Sequence, residues 1–314
     1  MKNRLDIDIP SRRNFPARGL FVCLFMLFPL AWPASAAPSL IIGEQDSYVV
    51  RDGDTLLDIA IANDLGYVEI VLANPGVDSW LPRPGQTLTL PTAHLVPEAD
   101  HKGIVINLTE LRLYYFPPDG SPPRTYPIGI GRLGRETPTG RTRLVKKREN
   151  PTWIPPASVR EERPELPAVV PPGPDNPLGS HALNLAWPSY AIHGTNRPYG
   201  VGRRVSHGCI RMYPRDIAEL FAQVEVGLPV TVVDQPVKVG LVQGELYLEV
   251  HPTAIQADAL EATGKLTPYD PPDVRLSVLT AAEGLLDRLD WPLIRQVAQE
   301  RRGIPVKITR SSIN

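Results

Sequence analysis

The stretch Val205 to Met212 reads VSHGCIRM and carries Cys209, one of two cysteines in the chain; the other is Cys23. A cysteine attacks a carbonyl carbon when a base takes its proton and donors await the oxyanion that forms. An unassisted thiol titrates near pH 8.5, so at neutral pH it needs a partner. Two imidazoles stand close in sequence: His207, two residues ahead, and His193 in AIHGTN, at the end of an expected strand. Gly208 lets the backbone turn sharply and lets a substrate carbonyl approach the amides of Gly208 and Cys209. Arg211 and Arg204 bring positive charge beside the thiol, which favours the thiolate and suits a substrate carboxylate. Two other chemistries compete. Cys209 is a plain core thiol, or it joins His207, His193 and His181 as a zinc site, although that spacing matches no zinc motif.

These residues need a scaffold, and the pattern around them is mainly β. GIVINLTELRLYYF from Gly103 alternates apolar and polar residues on both sides of Thr109-Glu110, as a tight hairpin does. RTYPIGIGR, TGRTRLVKK, SYAIHG and PVTVVD add strands, giving a β-sandwich-like domain over residues 101–235. One helix covers it, with Pro214 at its first position and Ile217, Leu220, Phe221 and Val224 at helical spacing. Between Arg148 and Gly179 runs a proline-rich stretch expected to lack regular structure and to act as a lid or substrate wall.

Residues 45–92 read strand, helix, helix, strand: Tyr48 to Val50, a helix capped by Asp54 and ended by Gly66, a second from Val68 to Ala73, and TLTL from Thr87. Residues 236–314 form a small α/β extension, with a strand in GELYLEVHP and helical patterns from Asp273 to Gln299 around Leu276, Leu279, Leu285 and Leu286.

The chain has 314 residues, 42% of them hydrophobic, and a formal net charge of −1, which fits a globular protein of two or three domains and leaves no basic footprint for nucleic acid. Arg12, Arg13 and Arg18 precede the apolar run from Gly19 and the small residues Ala34 and Ala36, the pattern of a cleaved signal peptide over residues 1–36. Cleavage removes Cys23 and leaves 28 Lys/Arg against 32 Asp/Glu, a single cysteine and no membrane span. A lone thiol in an oxidising compartment has no internal disulfide partner and needs another reason to be there.

Two resemblances give that reason. GDTL at Gly53 to Leu56, Asn74-Pro75 and Pro84 to Gln86 resemble a LysM module, which implies binding of N-acetylglucosamine-containing glycan. His193-Gly194, eleven residues, then Ser206-His207-Gly208-Cys209-Ile210-Arg211 resemble the motif of the L,D-transpeptidase catalytic domain; the spacer is short for that family. Carried over, the resemblance implies Cys209 as acyl-forming nucleophile, His193 as general base and the Gly194 carbonyl as the group orienting it. Ser206 then shapes the turn, and His207, Gly208, Arg211 and Arg204 surround oxyanion and substrate. The implied reaction joins the diaminopimelate carbonyl of a peptidoglycan tetrapeptide stem to Cys209, releases D-alanine and passes the acyl group to an amine, in the periplasm and with no cofactor or metal. The stretch VGLVQGELYLEVHP, including His251-Pro252, resembles Gram-negative members and points to an outer-membrane lipoprotein as acceptor. Another stem or water are the alternatives, and a non-catalytic wall-binding protein is the alternative of another kind.

Overall fold

Thr55 begins the first helix because its hydroxyl accepts the Asp58 amide at 3.1 Å. Asp54, expected as the cap, instead accepts the Arg51 amide at 2.7 Å and the Tyr48 hydroxyl at 2.9 Å. The computed structural model describes residues 41–267, 272–282 and 284–310, so the expected signal peptide lies outside the described residues. The N-terminal elements are β1 (Ile41–Ile42), β2 (Asp46–Val49), α1 (Leu56–Ala62), α2 (Tyr67–Ala73), β3 (Thr87–Leu90) and β4 (His94–Leu95). Gly66 does not end α1, which stops at Ala62; it starts α2, its amide held by the Glu69 carboxylate at 2.8 Å. Strands β2 and β3 pair antiparallel, and Leu56, Ile59, Ile70 and Leu88 pack between sheet and helices.

The next domain holds β5 (Gly103–Asn107), β6 (Arg112–Phe116), β7 (Arg124–Pro127), β8 (Ile130–Gly131), β9 (Gly140–Glu149), α3 (Ala157–Glu162), β10 (His181–Leu185), β11 (Ala191–His193), β12 (Arg204–Ser206), β13 (Ile210–Arg211), α4 (Pro214–Gln223) and β14 (Pro229–Val233). Eight of these strands form one sheet in the order β13-β11-β10-β9-β14-β5-β6-β7. The long β9 belongs to both halves: Gly140 to Arg143 pair with β14, while Leu144 to Glu149 pair with β10. Side chains from both halves meet in one core, with Ile104, Ile106 and Leu113 from one side and Leu183, Ile192 and Ile210 from the other. That shared core is the physical sense in which the domain is sandwich-like.

The expectation of a single covering helix needs correction. Ile217, Leu220 and Val224 of the α4 segment enter this core, but so do Tyr67, Val68 and Leu72 of α2 and Ala257 and Leu260 of a helix from the C-terminal region. A sheet face this wide needs more cover than one ten-residue helix supplies.

The C-terminal region holds β15 (Val237–Val242), β16 (Glu245–Val250), α5 (Ala254–Thr263), α6 (Pro272–Ala281), α7 (Trp291–Glu300) and β17 (Val306–Lys307). Its own core takes Leu246, Leu248, Val274, Val278, Ile294 and Val297. The leucines expected to form its apolar face do not all do so: Leu276 is 68% exposed and Leu286 53%. Asp290 caps α7 separately through the Leu293 amide at 3.1 Å, so the Asp273 to Gln299 pattern is two helices with independent faces. A buried cluster joins the regions: Lys238 binds Glu110 and Glu249, His251 binds Glu249 at 2.7 Å, and the Leu95 amide donates to Glu249 at 2.6 Å. Among the described residues, no helix is long and apolar enough to cross a membrane.

The proline-rich stretch is ordered rather than structureless. Its first residues continue β9, α3 lies within it, and Trp153 bridges to Val170. Asn176, fully buried, donates to the carbonyls of Pro151 at 2.7 Å and Pro171 at 3.1 Å, tying its two ends together.

Candidate active site

The site is built on the registers of β9, β10, β11 and β13. Arg148 lies opposite Ala182, Ala182 opposite His193, and His193 opposite Arg211. Paired residues point to one face of a sheet, so these four form a single row on one side. The alternate row, Leu183, Ile192 and Ile210, points the other way into the core, each fully buried. Alternation also places Cys209, two residues before Arg211, on the face of His193.

His193 ends β11 and is buried, at 5% exposure. Its Nδ1 lies 2.6 Å from the Gly194 carbonyl oxygen. A carbonyl only accepts, so Nδ1 carries the proton and Nε2 keeps its lone pair. Burial first, then the Arg211 guanidinium, hold this imidazole down to about 4. It is therefore neutral at any ordinary pH.

Cys209 is a free thiol, half-buried, with Sγ 3.5 Å from the Ser189 carbonyl. Burial pushes the thiol up, opposed by a hydrogen bond from the Ala191 amide and by the charges of Arg211 and Arg148. The resting pair is thus thiol and neutral imidazole, not an ion pair. The turn before Cys209 is fixed by Ser206, whose hydroxyl donates to the Cys209 carbonyl at 2.6 Å and accepts the Gly208 amide at 3.1 Å. This alters the expected oxyanion pair: the Gly208 amide is occupied, and of the two only the Cys209 amide remains. Gly208 itself has φ +105, and an added Cβ would stand 2.9 Å from the Tyr190 ring. Any side chain there would strain the backbone and press on that ring.

Two residues expected nearby face elsewhere. Arg204 binds Asp258 on α5 at 3.1 Å and ties β12 to the C-terminal region instead of facing the thiol. His181 has its Nδ1 2.9 Å from the Ser180 hydroxyl and its ring 4.6 Å from that of Phe221. His207 points away from its sequence neighbour as well: its Nε2 is 2.9 Å from Glu162 of α3. Arg132 and Arg135 hold the same carboxylate, at 2.6 and 3.1 Å. These bonds, that of His207 foremost, pull Glu162 down to about 2. The four candidate zinc ligands therefore do not converge. Among the described residues the ligand atoms that do converge, within 4.8 Å, are those of His94, Glu110 and Glu249, where Lys238 already supplies a cation between two carboxylates.

Sequence reasoning missed Arg148 as a site residue and missed Glu162, Arg132 and Tyr190 altogether. Arg148 lies more than forty residues before His193, and only the strand register brings it into the row.

Comparison with known proteins shows the family. Residues 101–232 match the YkuD family, the L,D-transpeptidase catalytic domain, and residues 48–91 match the LysM domain. The probable L,D-transpeptidase YcfS of Escherichia coli strain K12 is 41% identical over 296 residues, covering 90% of this chain and 89% of that protein. The chain belongs to the L,D-transpeptidase family. A second relative, the probable L,D-transpeptidase ErfK/SrfK of the same strain, is 39% identical over 292 residues, covering 90% of this chain and 92% of that protein. The NMR structure of the catalytic domain from an E. faecium L,D-transpeptidase is 26% identical, covers 43% of this chain and 99% of that one, and has a TM-score of 0.34. In this L,D-transpeptidase the matched catalytic segment contains the whole row from Arg148 to Arg211 together with Cys209.

Proposed function

We propose that Cys209 is the nucleophile and His193 the general base of a two-step acyl transfer on peptidoglycan stems. The observation that carries this reading is the free thiol on the same sheet face as an imidazole whose Nδ1–H is held by the Gly194 carbonyl, leaving Nε2 as acceptor. When a donor stem is bound, Nε2 takes the thiol proton as sulfur attacks the diaminopimelate carbonyl, and the Cys209 amide faces the developing oxyanion. The imidazolium then returns the proton to the leaving amine, freeing D-alanine and leaving a thioester. An incoming amine, deprotonated by the same nitrogen, attacks the thioester and restores the thiol. The Gly194 carbonyl does for His193 what a carboxylate does in a Ser-His-Asp triad. Ser206 shapes the turn, His207 belongs to the wall closed by Glu162, and Arg211 bears on the substrate. The LysM domain holds the glycan of the same wall, and the enzyme is exported and works in the periplasm, a reading supported by the match of residues 48–91 to that domain.

For the acceptor we favour the lysine of an envelope lipoprotein, supported by the likeness of Val239 to Pro252 to Gram-negative members. The test is intact-protein mass spectrometry after mixing with a disaccharide tetrapeptide, then adding separate acceptors. Wild type should gain the donor less D-alanine, Cys209→Ala nothing, and a lipoprotein lysine peptide should discharge the adduct faster than a second stem or water. Discharge by the stem alone would make the enzyme a 3→3 crosslinker. No adduct at all, with wall binding intact, would leave a binding protein.

A further inference from the structure

The arginines around this site divide into two groups. Arg132 and Arg135 are paired with Glu162, Arg203 with Glu261 at 3.2 Å, and Arg204 with Asp258. Arg148 and Arg211 make no ion pair among the described residues, although they flank His193 in one row and the thiol is one row away. Arg211 is half-buried, and its Nε is fully buried without a hydrogen-bond partner. A guanidinium in that position is costly to keep and is ordinarily matched by an anion. Arg148 is oriented only by neutral acceptors, the Asn184 side chain at 3.0 Å and the Thr152 carbonyl at 3.3 Å. Between the two in the row lie Ala182 and the neutral His193, with Ala191 two residues along β11, so the floor carries no charge. Two unmatched guanidiniums over such a floor form a seat for an anion.

We propose that Arg148 and Arg211 together bind a carboxylate of the donor stem, with Arg148 as its specificity-determining residue. The inference rests on the transpeptidase reading above for the identity of the ligand, but the seat itself rests on geometry. The donor offers two carboxylates of the same chemistry: that of the terminal D-alanine, which leaves, and that at the far end of the diaminopimelate side chain, which stays. Either one, seated there, neutralises the charges that oppose protonation of His193. Donor binding thereby strengthens the base at the moment it is needed. That Arg211 and Arg148 both hold the imidazole down, and that burial and the nearby Arg197 lower the affinity of Arg211 for its own proton, agree with an unmatched positive site.

The experiment compares wild type with Arg148→Gln in the rate of thioester formation on three disaccharide tetrapeptides: both carboxylates free, the terminal D-alanine amidated, and the diaminopimelate side-chain carboxylate amidated. Charge-assisted hydrogen bonds of this kind correspond to about a 10- to 100-fold loss on the unmodified stem. One amidated stem should be slow with wild type and no slower with the variant, and that stem names the carboxylate. Arg148→Lys should recover part of the rate. An equal loss on all three stems, or no loss, overturns the proposal. A thermal melt at the wild-type midpoint, with complete labelling of Cys209 by iodoacetamide at a pH where the thiol is ionised in both proteins, shows that the variant is folded with its thiol in place. If wild type forms no thioester with any stem, it is the transpeptidase reading that has failed. The seat is then read from the ratio of iodoacetate to iodoacetamide alkylation, which a drop in Arg148→Gln supports and an unchanged ratio overturns.

Discussion

At the scale of single residues the decisive property is that His193 and Cys209 are both neutral at rest. On the proposed mechanism catalysis needs the free base form of His193, so kcat/KM should fall only as pH drops through about 4, not near the ordinary imidazole value. A pH profile on a tetrapeptide stem checks this, and an acid limb near 6.5 would contradict it. Iodoacetamide alkylation should likewise rise with pH to a midpoint above that of an ordinary thiol, because burial outweighs the Ala191 amide and the two arginines. The same depressed imidazole affects stability. Below pH 6.5 the unfolded chain binds a proton that the folded His193 refuses down to about 4, so this residue contributes stability in full above 6.5 and loses it across that window. Cys209, His193 and the Ser206 turn were legible in sequence because their chemistry is local. Arg148 was not, because it enters through a strand whose register no local pattern reveals.

At the scale of elements, Asp216 in the first turn of α4 gives a test of opposite sign. It is 2% exposed, its Oδ2 has no hydrogen-bond partner, and burial raises it to about 7. An acid with a raised folded value costs stability as pH climbs from the unfolded value towards 7. Asp216→Asn should therefore stabilise the protein at pH 8, on the order of 2 kcal/mol, and do little at pH 4. Urea melts at the two pH values decide it. The hairpin of β5 and β6 and the Pro214 start of α4 were readable because turn residues and periodicity agreed there. The C-terminal helices were misread because leucines stand on several sides of them, and what selects Val274, Val278 and Ile294 for burial is the sheet they meet, not their spacing. Arg204 was misplaced for a related reason: its partner, Asp258, lies in a helix more than fifty residues on.

At the scale of the molecule, the segment from Gly200 to Tyr213 is clasped from two sides. The Val68 amide donates to the Gly202 carbonyl at 3.2 Å, Arg203 stacks 3.8 Å over the Tyr67 ring, and the Tyr213 hydroxyl donates to the Leu65 carbonyl at 2.9 Å. On the other side Asp258 and Glu261 hold Arg204 and Arg203. Gly202 has φ +73, and a Cβ there would meet the Gly66 Cα and the Tyr67 nitrogen at 2.2 Å, main chain that cannot swing aside. Gly202→Ala should cost about 2 kcal/mol or more and slow thioester formation, measured by melting and by adduct mass. Glu69 of α2 pairs with Arg112 of β6 at 2.7 Å, both buried. Arg112→Met should then destabilise by about 3 to 5 kcal/mol, because it strands a buried carboxylate. Calorimetry should show LysM and catalytic regions melting in one transition. The clasp also bears on how such a protein can be taken apart. A LysM module grafted from elsewhere would carry its own binding surface but not Glu69, nor the bare Gly66 that admits Gly202. The chimera would still reach the wall while its cysteine sat in a loosened loop. What looks like an interchangeable part in the sequence is, in the folded protein, half of the frame that holds Cys209.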